Sequence, residues 1–190
     1  AVYLTTGGWG TTTSVSSGKD VYIQYGAKEF LHAFDNDDRS KVAVMSDHNG
    51  HFNIRLLDAL TGEQIKIIVK GSRSVNFEEL KWLQPGITWS PDSKKIAFAA
   101  KSGKSDVIHI VDVESGKTDK ISINLDGVFS ASWSPNGENI AFVGHKGNAS
   151  DLFLFNIQDE TFIQLTSDPF SDSNPSWNKS GTRIAFVSDR

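Results

Sequence analysis

Apolar positions along this chain fall in short runs separated by Gly, Ser, Asn, Asp and Pro, and the runs recur. Ile96-Ala97-Phe98, Ile140-Ala141-Phe142 and Ile184-Ala185-Phe186 stand 44 residues apart, each seven residues after a Trp: Trp89, Trp133 and Trp177. The units open with Trp89-Ser90-Pro91-Asp92, Trp133-Ser134-Pro135-Asn136 and Trp177-Asn178-Lys179-Ser180. Pro fixes φ for a turn, and Asp or Asn before Gly suits its tight corner. A brief apolar run bounded by such turns reads as a buried strand. A polar link containing Gly then predicts a hairpin. The second strand, Val107–Asp112, matches Leu152–Asn156, and Thr118–Ile123 matches Phe162–Thr166. With the strand carrying the Trp, each unit holds about four strands, and no segment longer than one turn has helical spacing. The class is all-β. A fixed period of this length with such contents signals a radial array of small sheets.

An altered copy precedes these units. Val42-Ala43-Val44 stands for Ile-Ala-Phe, Ile54–Asp58 for the middle strand, Thr61-Gly62-Glu63 for the turn and Phe34 for the Trp. From Val42 to Ile96 is 54 residues, ten more than the period, and the surplus falls in Gly71–Gly86. Asn76–Leu83 has the spacing for one helical turn there. Residues 1–33 show no clear copy, although Val2–Leu4 and Val21–Tyr25 look like strands. The expected organisation is an irregular start over 1–33, followed by units near 34–86, 87–130, 131–174 and a partial one at 175–190.

Together these motifs resemble the repeats of the TolB family, whose pattern runs W-S-P-D-G-x-x-I-A-F-x-S-D-R. Trp89–Phe98, Trp133–Phe142 and Trp177–Arg190 follow it, Ser188-Asp189-Arg190 closes it, and Ser46-Asp47-His48 and Leu165-Thr166 fit as well. The resemblance implies a β-propeller of four-stranded blades and an exported, periplasmic or cell-surface bacterial location. Such repeats also occur in propeller domains of prolyl-oligopeptidase-like peptidases, and some related propellers follow a metallopeptidase-like domain. Closed propellers hold 4–8 blades, whereas this sequence supplies three to four, an incomplete ring. A fragment of a longer chain, or a chain seen in part, is the expectation. The alternative is completion by a second copy through open blade edges.

Composition narrows the function classes. In 190 residues with 38% hydrophobic content there is enough apolar surface for a real core. A net charge of −4 without a Lys/Arg run argues against nucleic-acid binding. No apolar stretch approaches the length of a membrane-spanning helix, and residues 1–10 lack signal-peptide character. There is no Cys, which removes disulfides and thiolate metal sites.

Candidate chemistry is sparse. Asp106 and Asp151 before the middle strand, and Asp58, Asp112 and Asn156 at its end, recur with the repeat. Recurring carboxylates suit a cation, but turn capping is the plainer reading. His32, His48, His51, His109 and His145 read as surface-loop residues without the converging partners zinc needs. Neither His-Glu-x-x-His nor Gly-x-Ser-x-Gly is present, so no catalytic residue, metal or cofactor is expected. Trp89, Trp133 and Trp177 are expected to pack between blades. Trp82 breaks the period: it lies in the surplus segment beside Phe77, Leu80 and Leu83, rimmed by charge. Apolar anchors with a charged rim suit a protein interface. The expected contact residues are therefore Arg73, Phe77, Glu78, Glu79, Lys81 and Trp82. The alternative is that Phe77, Leu80 and Trp82 cover their own blade.

The functional expectation is a non-catalytic scaffold recognising a protein or peptide. Its alternative is a substrate-gating domain of a larger serine peptidase or metallopeptidase.

Overall fold

The computed structural model describes residues 29–34, 39–48, 51–71, 79–80, 86–102, 105–147 and 149–190. Val2–Leu4 and Val21–Tyr25 lie outside them. The chain forms two compact units, Ala1–Ser74 and Val75–Arg190. All of the described regular structure is strand.

The first unit holds one antiparallel sheet in the order β1 (Glu29–Phe34), β2 (Lys41–His48), β3 (His51–Asp58), β4 (Gln64–Val69). Its core draws Val42, Val44, Ile54, Leu56 and Val69 out of water. Phe34 pairs with Val42, just as Trp89 pairs with Ile96, Trp133 with Ile140 and Trp177 with Ile184. Phe34 thus stands at the Trp position, as the sequence suggests.

In the second unit, a second sheet contains β5 (Glu79–Leu80), β6 (Ile87–Trp89), β7 (Lys95–Ser102), β8 (Ser105–Asp112) and β9 (Thr118–Ser122). A third runs β10 (Gly127–Trp133), β11 (Asn139–Lys146), β12 (Ala149–Asn156), β13 (Thr161–Gln164), and a fourth pairs β14 (Asp172–Trp177) with β15 (Ile184–Ser188). Each described sheet is antiparallel, with its strands paired in the manner of a propeller blade.

Alternation along each strand explains the Ile-Ala-Phe triplet. Successive side chains point to opposite faces, so Ala97 and Ala99 sit on one face of β7 and Ile96 and Phe98 on the other. The small face, with Ile108 and Ile110 of β8, packs against Ile140, Phe142, Phe153 and Phe155 of the third sheet, beside Val128 and Trp133. Phenyl rings fill the room that alanines leave, which is how two sheets reach close packing without voids. Phe142 and Phe153 stack with centroids 5.5 Å apart.

The Trp turns are held by their own polar residues. Ser90 Oγ donates to Asp92 Oδ1 at 2.6 Å and accepts from Lys95 N at 2.9 Å. Ser134, Asn136 and Asn139 N repeat this arrangement. Asn178 Oδ1 accepts from Thr182 and Arg183 N in the last copy. The corner needs left-handed φ, supplied by Gly137 (80°) and Gly181 (69°), whereas Ser93 adopts 56° at the same place.

Candidate interaction surface

The first strand of each blade carries the chain's irregularities. In β10, two residues between Phe129 and Ser132 oppose one in β11, a bulge centred on Ser130 at φ 50°. The bulge recurs in β14 at Asn174, φ 52°. The second sheet opens the same position much further. Leu80 pairs with Ala100 and Ile87 with Phe98, so six residues intervene where two, Phe129 and Ser130, separate Val128 from Ala131. Four of the ten surplus residues therefore fall between β5 and β6. Four more lie between β4 and β5, since Val69 to Glu79 is ten residues and the corresponding Ile121 to Gly127 is six. The last two are taken up by register shifts between β3 and β4, which corrects the sequence reading that placed the whole surplus in Gly71–Gly86.

This splitting places one candidate contact residue and fixes the ends of the segment. Glu79 pairs with Lys101 on β7, so its backbone is strand. The helical turn suggested by the sequence is thereby corrected at Glu79–Leu80: free backbone groups at the β7 edge offered pairing that one isolated turn could not match. Arg73, Phe77, Glu78, Lys81 and Trp82 lie outside the described residues. At the far end, Gly86 lies against the third sheet's bulge, where an added Cβ would meet Ala131 N and the Ser130 backbone at under 3 Å. Only a residue without a side chain allows that approach.

Several described groups sit at the same end of the second unit. The hairpin of β7 and β8 carries Ser102, whose Oγ takes a hydrogen bond from Lys120 Nζ at 3.2 Å. Beside the β11–β12 hairpin, Phe129 and His145 meet edge to face at 5.1 Å, and Asp126 Oδ2 accepts from Gly147 N. After β15, Arg190 Nη2 approaches Asp168 at 3.2 Å and the fully buried Asp172 at 3.7 Å, with its guanidinium 5.7 Å from the Phe186 ring. The Phe129–His145 and Asp168–Asp172–Arg190 groups escaped sequence reading because each is joined across strands. The departure of Asp172 from Val128, 44 residues earlier, was the available signal.

The recurring carboxylates divide in two. Asp58 Oδ1 accepts from Leu60 N and Thr61 N, Asp112 Oδ1 from Ser115 N and Oγ, and Asn156 Oδ1 from Gln158 N and Asp159 N. These are turn caps, and the bonds hold the Asp58 and Asp112 carboxyls below the usual carboxylate range. Asp106 and Asp151 are not equivalent, which corrects the sequence reading. Asp106 pairs with Lys101 and Ser150 with His145, so Ser150 is the counterpart of Asp106 and Asp151 faces the opposite side of its sheet. Their spacing is 45 residues, one more than the period. Among the described residues, no three His, Asp or Glu side chains converge as metal ligands.

His109 is a second correction. It lies wholly buried in β8, stacked on Phe98 with centroids 5.3 Å apart, and is no surface-loop residue. Its counterpart is Phe153, so the imidazole takes a phenyl position in the sandwich. Burial, reinforced by the Lys120 charge, lowers its pKa from 6.5 to about 4. His145 lies near the end of β11, half-buried, and the backbones of His48 and His51 pair in register at the close of the β2–β3 hairpin. Two of the repeating tryptophans behave as expected: Trp133 packs in the core between the second and third sheets, and Trp177 Nε1 donates to Ser132 O of the preceding sheet at 3.1 Å.

Comparison with known proteins agrees with this architecture. Residues 75–190 match the TolB beta propeller domain. No curated protein matches the chain. Among solved structures, TolB from Acinetobacter baumannii superposes with a TM-score of 0.67 at 20% identity, covering 79% of this chain and 35% of its own. A protein assigned as TolB in Agrobacterium tumefaciens gives 0.71 at 19% identity, over 96% of this chain and 60% of its own. The tricorn protease gives 0.54 at 18%, over 79% of this chain and 14% of its own. The chain thus spans between about a third and three fifths of the two TolB structures. The repeated Trp turns, the four-stranded antiparallel sheets and the match over more than half its length show that the chain belongs to the TolB β-propeller family.

Proposed function

We propose that this protein is a non-catalytic propeller scaffold that recognises another protein or a peptide in the bacterial envelope or outside the cell. The observation carrying this reading is the split first strand of the second sheet. Paired strand flanks the surplus segment on both sides, Leu80 with Ala100 and Ile87 with Phe98, so its two ends are fixed on a stiff frame. Binding residues commonly sit on loops positioned in this way. Its sequence joins aromatic anchors, Phe77 and Trp82, to the charged Arg73, Glu78, Glu79 and Lys81. A photo-crosslinking amino acid placed at Trp82 in the full-length protein, in its own cells, is expected to capture one protein. The same probe at Lys94, at the other end of β7 from the Glu79–Lys101 pair, is expected to capture none. Equal labelling from both positions overturns the assignment.

A second reading, a gating domain attached to a peptidase, draws support from the fold shared with the tricorn protease. On that reading, the full gene encodes a serine-hydrolase or His-Glu-x-x-His segment. A gene without either removes it.

A further inference from the structure

Near-identical sheets face a problem of neighbour choice. The faces that the second and third sheets turn toward the next blade are both apolar, with Ala99 matched by Val143 and Ile108 by Leu152. Apolar packing is non-directional, so it distinguishes poorly between the correct neighbour and another copy of the same repeat. Misassembly of this kind is a characteristic failure of repeat proteins.

The buried carboxylates differ where the apolar residues do not. Where the second sheet meets the third, Asp106 comes from the second and its Oδ2 accepts from Val128 N at 3.1 Å. Where the third meets the fourth, the roles are exchanged. Ser150 stands at the Asp106 position, and Asp172, which pairs with Ser188 as Val128 pairs with Gly144, stands at the Val128 position. Asp106 and Asp172 are both buried, at 6% and 0% exposure. Asp172 accepts no hydrogen bond among the described residues, and Arg190 alone among them gives it a counter-charge. A buried carboxylate tolerates one such partner but not a second carboxylate in the same dry space.

We propose that this exchange is a recognition key that sets which sheet stacks on which. Placing the second sheet directly against β14, by skipping the third or by exchange between two copies, brings Asp106 onto Asp172. Like charges meet, and Arg190 already spans Asp168 and Asp172. At these two junctions the native order keeps one buried carboxylate each, Asp106 at one and Asp172 at the other. Discrimination here comes from a repulsive element in the wrong pairing as well as from contacts in the right one.

The test rebuilds the wrong pairing inside the native order, in the full chain. Ser150→Asp puts a carboxylate against Asp172. Ser150→Asp with Asp172→Val recreates the Asp106–Val128 junction, and Ser150→Asn controls for size. Urea unfolding is expected to show Ser150→Asp losing at least about tenfold in the folded-to-unfolded ratio, with the double variant recovering most of it and Ser150→Asn close to wild type. If Ser150→Asp does not fold, a folded double variant supports the key and an unfolded one overturns it. The proposal also fails if Ser150→Asp matches wild type, if Ser150→Asn loses as much, or if the double variant gains nothing over Ser150→Asp. In light scattering after refolding, Asp172→Val alone is expected to form more dimer as concentration rises. A dimer fraction equal to wild type also counts against the key.

Discussion

The second and third sheets are written from one repeat, and three of their differences bear on structure. At the shared stacking position, the third sheet pairs Phe142 with Phe153, while the second pairs Phe98 with His109. In the first strand, the third sheet has a one-residue bulge, while the second is split into β5 and β6. At the junction with the next blade, the second sheet contributes a carboxylate and the third a hydroxyl. The common parts make the frame. The differences separate what the fold requires from what it merely tolerates, and each can be changed alone.

The largest expected effect is in the frame. Phe142→Ala removes a fully buried ring from between two sheets and should lower stability by about 3–5 kcal/mol. Urea unfolding of the second unit's strands checks this, and a loss comparable to that of an exposed residue such as Phe186 refutes the packing account.

His109 comes next. Its pKa is lower in the folded state than the usual 6.5, so the unfolded chain binds the extra proton between pH 6.5 and about 4. Stability is complete above that window and falls as pH drops through it, by at most about 3 kcal/mol. His109→Phe copies the third sheet and is expected to remove this portion of the acid loss. An unchanged pH slope in the variant places the loss elsewhere.

The smallest effect contrasts two bulges. Gly86→Ala forces a methyl into the Ser130–Ala131 backbone, and an overpacked contact of this kind costs about 1–3 kcal/mol. Its counterpart Ser130 already has a side chain, and Ser130→Ala is expected to be neutral; thermal melting of both variants checks the contrast.

Much of the fold was legible because it is periodic. The spacing of Trp89, Trp133 and Trp177 and the triplets seven residues on located the strands, and Phe34 could be matched despite its altered chemistry. What escaped was set by register. Asp106 and Asp151 look equivalent along the chain, yet a one-residue offset turns them to opposite faces. His109 looked like a polar loop residue because histidine type says little about burial. Its 44-residue partner, Phe153, marked a core position. The site was legible only as an irregularity: sequence gave the ten-residue surplus, but the free edge of β7 decided that Glu79–Leu80 pairs as strand.

The account holds that the surplus in the second sheet's first strand serves recognition and that folding does not need it. Deleting residues 82–85 leaves two residues between Leu80 and Ile87, matching the third sheet. The measurement is affinity co-purification, without a crosslinker, of the partner first identified from position 82, using this variant in the full-length protein alongside its thermal midpoint. An unchanged midpoint with partner recovery abolished is the predicted result; full recovery from a folded variant contradicts the claim.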